Sequence, residues 1–486
     1  MKFFPKKLSL KWINQAYDNN ELTPYELVDE ILKRAEENKD KNIWIVAPSR
    51  ELMEKYISKL PPRSEDKPLW GIPFAIKDNI DLEGVPTTAA CPEYSYMPKK
   101  SAFVVQKLID AGAFPVGKTN LDQFATGLVG TRSPYGEVHN AYDDKMISGG
   151  SSSGSAVSVA LGMAAFSLGT DTAGSGRVPA MLNTLVGFKP SLGAWSTSGV
   201  VPACASLDCV TVFANSLEDT ETVNQYAKGY DAECVWSKEY EDKGKKLPEK
   251  IYLPLKEPAF FGDNADVHRA KWYSATERIK KLGVKVEYID YKMFYDAALI
   301  LYDGAYVAER WADLKEFVIE NEDKVFPVTK KILQSGGTEE KTAARLFEDL
   351  HMLQYYRHKA KEILKNAVMV MPTAGGTFTR EQVREDPVKT NSLMGLYTNH
   401  CNLLDLMAVA VPENTQDKNL PFGITIFGLA DSTNLVLQTA ESFLKTESID
   451  FAVCGLHKKG YALESQLTEL GAEYIESTAT AKEYKL

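Results

Sequence analysis

The chain alternates between segments whose apolar residues have helical spacing and short apolar runs typical of strands. Thr23-Pro24-Tyr25-Glu26 is a capping box with proline at the first helical position, and apolar residues then follow one helical face. Residues 101–110 predict another helix, and residues 295–365 are almost wholly helical in pattern. Strands are predicted at residues 44–46, 72–76, 113–116, 284–289, 367–371, 406–411 and 423–427. This alternation favours an α/β fold in which a mixed β-sheet lies between helices.

A polar connector follows the helix that is predicted to end near residue 445. Residues 451–456 then predict a new strand, and residues 461–471 predict a new helix. We therefore expect a main domain over residues 1–446 and a C-terminal appendage over residues 447–486, which is too short to fold as an independent domain.

The charge balance narrows the classes of partner. The 486 residues include 56 basic and 66 acidic side chains, which gives a formal net charge of −10, so no nucleic-acid partner is expected. The apolar share of 44% and the charged share of 25% are those of a globular chain rather than a disordered one. A local positive group would have to capture any anionic substrate, because the bulk charge repels it.

Targeting and redox signals are sparse. Charged residues interrupt the apolar residues at the N-terminus, so no secretory signal is expected. The longest weakly polar stretch, residues 156–169, is shorter than the roughly 20 residues that a membrane span needs. The six cysteines form no Cys-x-x-Cys pair and no cluster with metal-ligand spacing. We therefore expect a cytoplasmic protein with reduced thiols, no membrane contact, no metal and no cofactor.

Residues 148–155 are the first of three segments that could carry chemistry, and they consist only of glycine and serine. This composition is typical of a flexible linker, but a helical run of small residues follows directly, as it would after a packed loop. A phosphate-binding loop is weakly supported, because no lysine follows at P-loop spacing. The segment also contains Gly-x-Ser-x-Gly, which would make Ser152 a nucleophile. That alternative needs a downstream histidine, and the candidates stand in helical, apolar or surface settings: His268, His351, His358, His400 and His457.

The other two segments pair small residues with one reactive side chain each. Residues 168–180 place small residues on both sides of Ser175, so that backbone N–H groups could hold an oxyanion, although a plain glycine-rich turn is the alternative. Residues 71–79 end an apolar strand at Lys77. A desolvated lysine loses its proton more easily and can act as a base near neutral pH, whereas an ordinary strand-end lysine is the alternative.

Taken together and in this order, the three segments resemble the amidase signature family: GIPFAIKD, GGSSSGS and GTDTAGSGR, continuing into VGFKPSLG. The resemblance covers roughly residues 20–450. It implies a triad with Ser175 as nucleophile, Ser151 as bridging serine and Lys77 as base, and a cis peptide between Gly150 and Ser151. Ser175 follows Ser151 by 24 positions, which agrees with the family spacing and selects Ser151 over its serine neighbours.

The same resemblance implies an oxyanion hole and two supporting side chains. Asp171 and Arg177 are expected to support the loop without reacting. The backbone N–H groups expected to form the hole are those of Thr172, Ala173, Gly174 and Ser175.

Departures from the commonest family motif indicate one branch of the family. Ala173 and Gly176 stand where glycine and isoleucine are usual, and this pattern is similar to that of the allophanate hydrolase branch. Residues 122–136, 199–214 and 301–311 resemble the same branch.

That branch implies a small anionic substrate bound by Tyr302 and Arg310, with a backbone contact from Gly127. An arginine suits this task because it can hold a carboxylate through two parallel hydrogen bonds. Without the resemblance, Arg310 would be assigned to a helix-surface ion pair with Glu309 or Asp313.

The implied activity is hydrolysis of the terminal amide of allophanate (urea-1-carboxylate) to N-carboxycarbamate and ammonia through an acyl-enzyme, in urea and nitrogen catabolism. The alternatives are a related amidase for another small ureido or biuret-type amide, a glutamyl-tRNA amidotransferase-like subunit, and a catalytically inactive binding protein. The resemblance also implies a homodimer and a functional link to a separate urea carboxylase. Residues 451–486 resemble the opening of a C-terminal domain that removes CO2 from N-carboxycarbamate, so the amide-cleaving half-reaction alone is expected here.

Overall fold

A mixed sheet of eleven strands runs through the computed structural model, which describes residues 2–64, 67–414, 420–446, 453, 455–469 and 472. The spatial order is β1-β3-β2-β4-β6-β5-β10-β11-β9-β7-β8. The strands are β1 (Trp44–Val46), β2 (Pro73–Lys77), β3 (Phe114–Thr119), β4 (Phe166–Asp171), β5 (Val186–Lys189), β6 (Cys209–Ala214), β7 (Lys250–Pro254), β8 (Lys285–Ile289), β9 (Ala367–Pro372), β10 (Leu406–Pro412) and β11 (Gly423–Leu429).

Helices flank this sheet, as the sequence pattern predicts. They are α1 (Leu10–Asp18), α2 (Pro24–Glu37), α3 (Arg50–Ile57), α4 (Phe103–Asp110), α5 (Ser153–Ala160), α6 (Val178–Leu182), α7 (Leu217–Ala227), α8 (Ala265–Lys280), α9 (Lys292–Leu299), α10 (Val307–Glu320), α11 (Pro327–Ser335), α12 (Ala343–Ile363), α13 (Arg380–Glu385), α14 (Lys389–Met394), α15 (His400–Leu403), α16 (Thr433–Lys445) and α17 (Glu464–Glu469). Short 3-10 helices lie at Lys39–Lys41, Pro92–Tyr94, Gln123–Ala125 and Gly455–His457.

Local signals placed several elements correctly. The capping box at the start of α2 is present, with the side chains of Thr23 and Glu26 each accepting from the other's backbone N–H. The seven strands predicted within residues 1–446 are all found, whereas β4, β5, β6 and β7 were missed. The α/β prediction is therefore confirmed.

The predicted strand at residues 451–456 is wrong at its C-terminal end. Residues 451, 452 and 454 lie outside the described residues, and Gly455 begins a 3-10 helix with a φ of 65°. This left-handed conformation cannot continue an extended strand. Within the predicted helix at residues 461–471, α17 covers Glu464–Glu469, and residues 470 and 471 lie outside the described residues.

The central strands carry polar groups to one edge of the sheet. β2 and β4 are parallel neighbours, with Ile76 opposite Leu168, so their carboxyl ends at Lys77 and Asp171 lie at the same edge. α5 packs against both strands and brings the loop before it to that edge. In parallel sheets this edge is the usual place for a functional site.

The sixth cysteine, Cys454, lies outside the described residues. The five described cysteines are buried free thiols, as expected: Cys91, Cys204, Cys209, Cys234 and Cys401. Within the same part of the chain, no helix is both long and apolar enough to cross a membrane.

Candidate active site

Three side chains predicted from separate segments meet at the edge where β2 and β4 end. Lys77 Nζ lies 2.7 Å from Ser151 Oγ, and Ser151 Oγ lies 3.0 Å from Ser175 Oγ. Lys77 and Ser151 have no exposed surface, and Ser175 is 4% exposed. The three groups therefore form a continuous hydrogen-bonded path that is shielded from water.

Lys77 is buried without an ion-pair partner among the described residues. Its Nζ has a second contact, 2.6 Å from Thr170 Oγ1 on β4. Burial lowers the pKa of Lys77 to about 7, although the charges of Asp122, Asp208 and Asp171 oppose the shift. Near neutral pH a large fraction of the amine is thus uncharged and has a lone pair to accept a proton.

The Gly/Ser loop at residues 148–155 is packed and does not act as a linker. The Gly150–Ser151 peptide is cis, as predicted, and the backbone oxygen of Ser151 accepts from Asp122 N at 3.1 Å. A Cβ at position 150 would lie 2.0 Å from Asp122 Oδ2, so glycine is required there. Every residue of the segment is buried.

The Gly-x-Ser-x-Gly alternative is not supported. Ser152 Oγ donates to the Thr170 carbonyl at 3.1 Å and accepts from the Thr170 N–H at 3.2 Å, so its hydroxyl joins the loop to β4. No histidine is among its partners in the described part of the chain. Of the candidate histidines, His400 is buried against Tyr291 OH at 2.9 Å, and His351 and His358 are exposed on α12.

Asp171 and Arg177 form an ion pair that holds the loop around Ser175 in place. The Asp171 carboxylate accepts from Arg177 Nε at 2.8 Å, from Gly174 N at 2.9 Å and from Gly176 N at 3.0 Å. Gly174 has a φ of 137°, and a Cβ there would lie 2.3 Å from Thr398 Oγ1. Both side chains are fully buried and contact no reacting group, which agrees with the supporting role expected for them.

One of the four predicted oxyanion donors is already in use. Because the Gly174 N–H donates to Asp171, it stabilises the loop and is not free to bind a substrate oxygen. The N–H groups of Thr172, Ala173 and Ser175 donate to no group among the described residues. Of the four amides predicted to form the hole, Gly174 N is occupied, and the other three remain free to donate to a ligand.

Asp208 is a further residue of the site that the sequence did not indicate. Its carboxylate accepts from Ala203 N at 2.8 Å, from Cys204 N at 3.1 Å and from the Thr172 hydroxyl. Burial raises the pKa of Asp208 to about 6, and these hydrogen bonds oppose the rise. This side chain anchors Thr172, which carries one of the three free amides.

Gly127 and Arg310 approach the nucleophile through one short segment. Ser175 Oγ lies 3.5 Å from the Gly127 carbonyl, and the preceding residue, Thr126, accepts from Arg310 Nη1 at 3.1 Å through Oγ1. The Arg310 guanidinium lies 5.4 Å from the centre of the Tyr302 ring. Position 127 requires glycine, because a Cβ would lie 2.5 Å from Asp122 Oδ2.

The helix-surface assignment for Arg310 is wrong. The side chain is 1% exposed on α10 and forms no ion pair among the described residues. Its neighbour Glu309 instead accepts from Ser206 N at 2.8 Å and from Cys204 Sγ at 2.9 Å. Arg310 Nε has no hydrogen-bond partner in the described part of the chain. Burial would lower the pKa of Arg310, but nearby groups that include Asp208 and Glu309 outweigh it and raise that pKa. The guanidinium is therefore charged, and without an ion-pair partner among the described residues it can bind an anionic ligand beside Thr126 and Gly127.

Known proteins match nearly the whole chain. Residues 26–437 match the family model described as Amidase, and residues 449–486 match that of the Allophanate hydrolase C-terminal domain. The chain is 37% identical to the urea amidolyase of Saccharomyces cerevisiae over 98% of this chain, but it spans 28% of that relative's length. It is 32% identical to one subunit of the Glutamyl-tRNA(Gln) amidotransferase of Methanosarcina mazei, over 80% of this chain and 87% of that protein.

Among solved structures, the allophanate hydrolase of Kluyveromyces lactis is similar with a TM-score of 0.83 and 36% identity, covering 96% of this chain and 82% of that one. The Amidase match spans most of the sequence and includes all three segments that carry Lys77, Ser151 and Ser175. The chain therefore belongs to the amidase signature family.

Proposed function

We propose that this chain hydrolyses the terminal amide of allophanate to N-carboxycarbamate and ammonia through an acyl-enzyme on Ser175. The observation that carries the proposal is the path from Lys77 to Ser175 through Ser151, with contacts of 2.7 and 3.0 Å, beside the buried guanidinium of Arg310, whose Nε has no hydrogen-bond partner among the described residues. The path supplies a nucleophile, and the guanidinium supplies a counter-charge for a short anion.

The first half of the reaction acylates Ser175. Neutral Lys77 accepts the Ser151 proton while Ser151 accepts the Ser175 proton, and Ser175 Oγ attacks the carboxamide carbon. The oxygen of the tetrahedral intermediate accepts hydrogen bonds from the free N–H groups of Thr172, Ala173 and Ser175. Removing one such donor typically costs about 3–4 kcal/mol of transition-state stabilisation.

The collapse of the tetrahedral intermediate completes the acylation, and hydrolysis of the acyl-enzyme then releases the product. In the collapse the C–N bond breaks, Ser151 protonates the leaving nitrogen and regains a proton from Lys77, so ammonia leaves and Lys77 is again a neutral amine. Water then attacks the acyl carbon with its proton passing along the same path, and Ser175 leaves as the free hydroxyl. The product is N-carboxycarbamate.

The position of Arg310 favours allophanate over neutral amides. The carboxylate of allophanate is a few bonds from its terminal amide, so one ligand can reach both Ser175 and Arg310, which are joined by Thr126 and Gly127. A charge-assisted hydrogen bond in a buried site is worth about 1.5–3 kcal/mol.

The relatives' names support the wider context of the proposal. We assign the hydrolase to residues 1–446 and a C-terminal appendage to residues 447–486, in line with the two family models. The S. cerevisiae relative is named as a urea amidolyase. We accordingly place the reaction in urea breakdown, after a urea carboxylase that supplies allophanate, and expect the enzyme to act as a homodimer.

Ammonia release from a panel of amides tests the proposal. Allophanate, biuret, urea, malonamate and glutamine are each incubated with the purified chain, and the product of any active compound is identified by mass spectrometry. The proposal expects allophanate to have the highest kcat/KM and N-carboxycarbamate to be formed. A higher kcat/KM for biuret than for allophanate would overturn the assignment of allophanate as the substrate. A preference for glutamine would favour the amidotransferase-like alternative.

A further inference from the structure

A second arginine, Arg132, lies buried beside the proposed substrate site. It is 1% exposed, and its guanidinium donates from Nη1 to the Thr126 carbonyl at 2.9 Å and from Nη2 to the Pro387 carbonyl at 2.7 Å. Its Nε has no hydrogen-bond partner among the described residues. Arg132 thus holds the segment that precedes Gly127, and its Nε–H is left without a partner in the described part of the chain.

Arg132 and Arg310 contact the same residue from two sides. Arg132 Nη1 binds the backbone oxygen of Thr126, whereas Arg310 Nη1 binds its side-chain oxygen at 3.1 Å. Burial lowers the pKa of Arg132, Asp122 and Tyr302 oppose that shift, and the charge of Arg310 adds to it. Two guanidinium charges therefore lie within electrostatic range of each other around Thr126.

No carboxylate in the described part of the chain forms an ion pair with either guanidinium. Asp122 lies closest in sequence, but its oxygens accept from backbone N–H groups: those of Val129 at 3.2 Å, Gly130 at 3.1 Å and Arg132 at 2.9 Å. Asp122 therefore shapes the loop and eases the burial of Arg132 without binding its side chain.

The two buried guanidinium groups share one neutral partner, Thr126, while Asp122 acts on Arg132, and Asp208 and Glu309 act on Arg310, only from beyond ion-pair distance. An anion that binds beside Thr126 is therefore attracted by both guanidinium charges. We infer that Arg132 is a second specificity-determining residue, which together with Arg310 selects a carboxylate-bearing amide over a neutral one. The inference rests on the proposed function, since it concerns the same site and substrate. Arg132 acts in two ways: it positions Thr126 and Gly127, and it adds positive charge to the place where the carboxylate binds.

Binding of two stable analogues separates charge recognition from structural support. Malonamate carries a carboxylate and an amide, and malonamide replaces the carboxylate by a second amide. Dissociation constants for both are measured by calorimetry in the Ser175→Ala protein, with and without Arg132→Gln or Arg132→Lys. We expect Arg132→Gln to raise the dissociation constant of malonamate on the order of ten-fold and to change that of malonamide less than about two-fold. Arg132→Lys should recover most of the lost malonamate affinity.

Arg34 provides a matched control. It is a buried arginine on α2 that donates to the Gly162 and Pro5 carbonyls at 2.9 and 2.8 Å, away from Thr126. Arg34→Gln should lower thermal stability and leave the ratio of the two dissociation constants unchanged.

Equal weakening of both ligands by Arg132→Gln, or Arg132→Lys binding malonamate no better than Arg132→Gln, would overturn the inference. If Arg132→Gln does not fold, Arg132→Lys decides, because a charge role predicts that malonamate stays bound within about three-fold of the parent. These measurements need no turnover. Failure of the unaltered chain to release ammonia from allophanate would overturn the proposed function, whereas an unselective Arg132→Gln would overturn the inference alone.

Discussion

Lys77 Nζ lies 2.7 Å from Ser151 Oγ, and neither side chain has any exposed surface. Water cannot stand between them, so a proton that leaves Ser151 has the amine as its nearest acceptor. The amine accepts only when it is neutral, and the same burial that excludes water lowers the pKa of Lys77 to about 7. One packing arrangement therefore provides both the path of the proton and the base that receives it.

The rate of amide hydrolysis should follow the ionisation of Lys77. Because the base must be deprotonated, kcat/KM for allophanate should be half-maximal near pH 7 and reach a plateau about one pH unit above that value. It should approach a fall of about ten-fold per pH unit from about one unit below it. The measurement is the pH–rate profile between pH 5 and 9, with folding followed by circular dichroism at each pH. A profile that stays flat down to pH 5.5 would contradict a lysine base with a pKa near 7.

Ser175→Ala should lower kcat by at least about 10⁴-fold, because Ser175 is the hydroxyl at the end of the path from Lys77 through Ser151 and no second hydroxyl of the described residues takes that position. Ser152→Ala is the matched control, since Ser152 is a buried neighbour whose hydroxyl contacts the Thr170 backbone. It should keep kcat within about ten-fold of the parent and lower the stability by about 1 kcal/mol. If Ser152→Ala instead lowered kcat more than Ser175→Ala did, the Gly-x-Ser-x-Gly alternative with Ser152 as nucleophile would be restored.

Thr170→Val should lower kcat about 10- to 100-fold with little change in KM, because it removes the hydroxyl that lies 2.6 Å from Lys77 Nζ. The amine then has one fixed neighbour instead of two and is less well aimed at Ser151. Thr211→Val is the control: it lies on the adjacent strand β6, and its buried hydroxyl has no hydrogen-bond partner among the described residues. The kcat and KM of both variants are measured with allophanate. Equal losses of kcat would mean that Thr170 does not position Lys77.

The triad was predictable from the sequence, but its supporting residues were not. Lys77, Ser151 and Ser175 stand in segments with unusual composition that resemble one family. Thr170 stands in the same segment as Ser175, yet its contact with Lys77 depends on the parallel register of β2 and β4, which no local signal fixes. The bond between Thr172 and Asp208 spans 36 residues and depends on the packing of a separate loop.

Hydrophobic patterning failed where a buried strand is polar. β4 is fully buried, although four of its six residues are serine, glycine, threonine or aspartate. Its polar groups are satisfied inside the protein: Ser167 Oγ donates to the Ala75 carbonyl at 3.2 Å, and Ser152 pairs with the Thr170 backbone. Burial without apolar side chains leaves no periodic signal, so residues 168–171 were predicted as part of a glycine-rich loop and not as a strand. The Gly174 amide was assigned to the oxyanion hole by the family resemblance, which does not show its tertiary hydrogen bond to Asp171.

Arg310→Met should damage the use of anionic substrates far more than that of neutral ones. The variant keeps a long apolar side chain beside Tyr302 but loses the charge, so kcat/KM should fall about 10²-fold for allophanate and less than about three-fold for biuret. Progress curves for both amides with the parent and variant measure the two ratios. Equal losses on both substrates would mean that Arg310 supports the fold and does not bind the carboxylate.

Asp171→Asn should destabilise the protein without touching the reacting groups. Burial alone would raise the pKa of Asp171, but the charge and hydrogen bonds of Arg177 outweigh it and hold that pKa below its ordinary value. The folded state thus depends on an ionised carboxylate, and the substitution leaves Arg177 buried and unneutralised. We expect a loss of about 3–5 kcal/mol in the free energy of unfolding at pH 7, measured by urea denaturation.

The pH dependence of that loss identifies its cause. Since the folded-state pKa of Asp171 is depressed, its stabilising effect is complete above the unfolded pKa of roughly 4 and is lost as the pH falls through the folded value. The difference between parent and variant should therefore be constant from pH 6 to 8 and shrink in acid. Glu36→Gln, which breaks the exposed pair with Lys39, should show no measurable change at any pH. A difference for Asp171→Asn that does not depend on pH down to acid unfolding would attribute the loss to packing rather than to the ion pair.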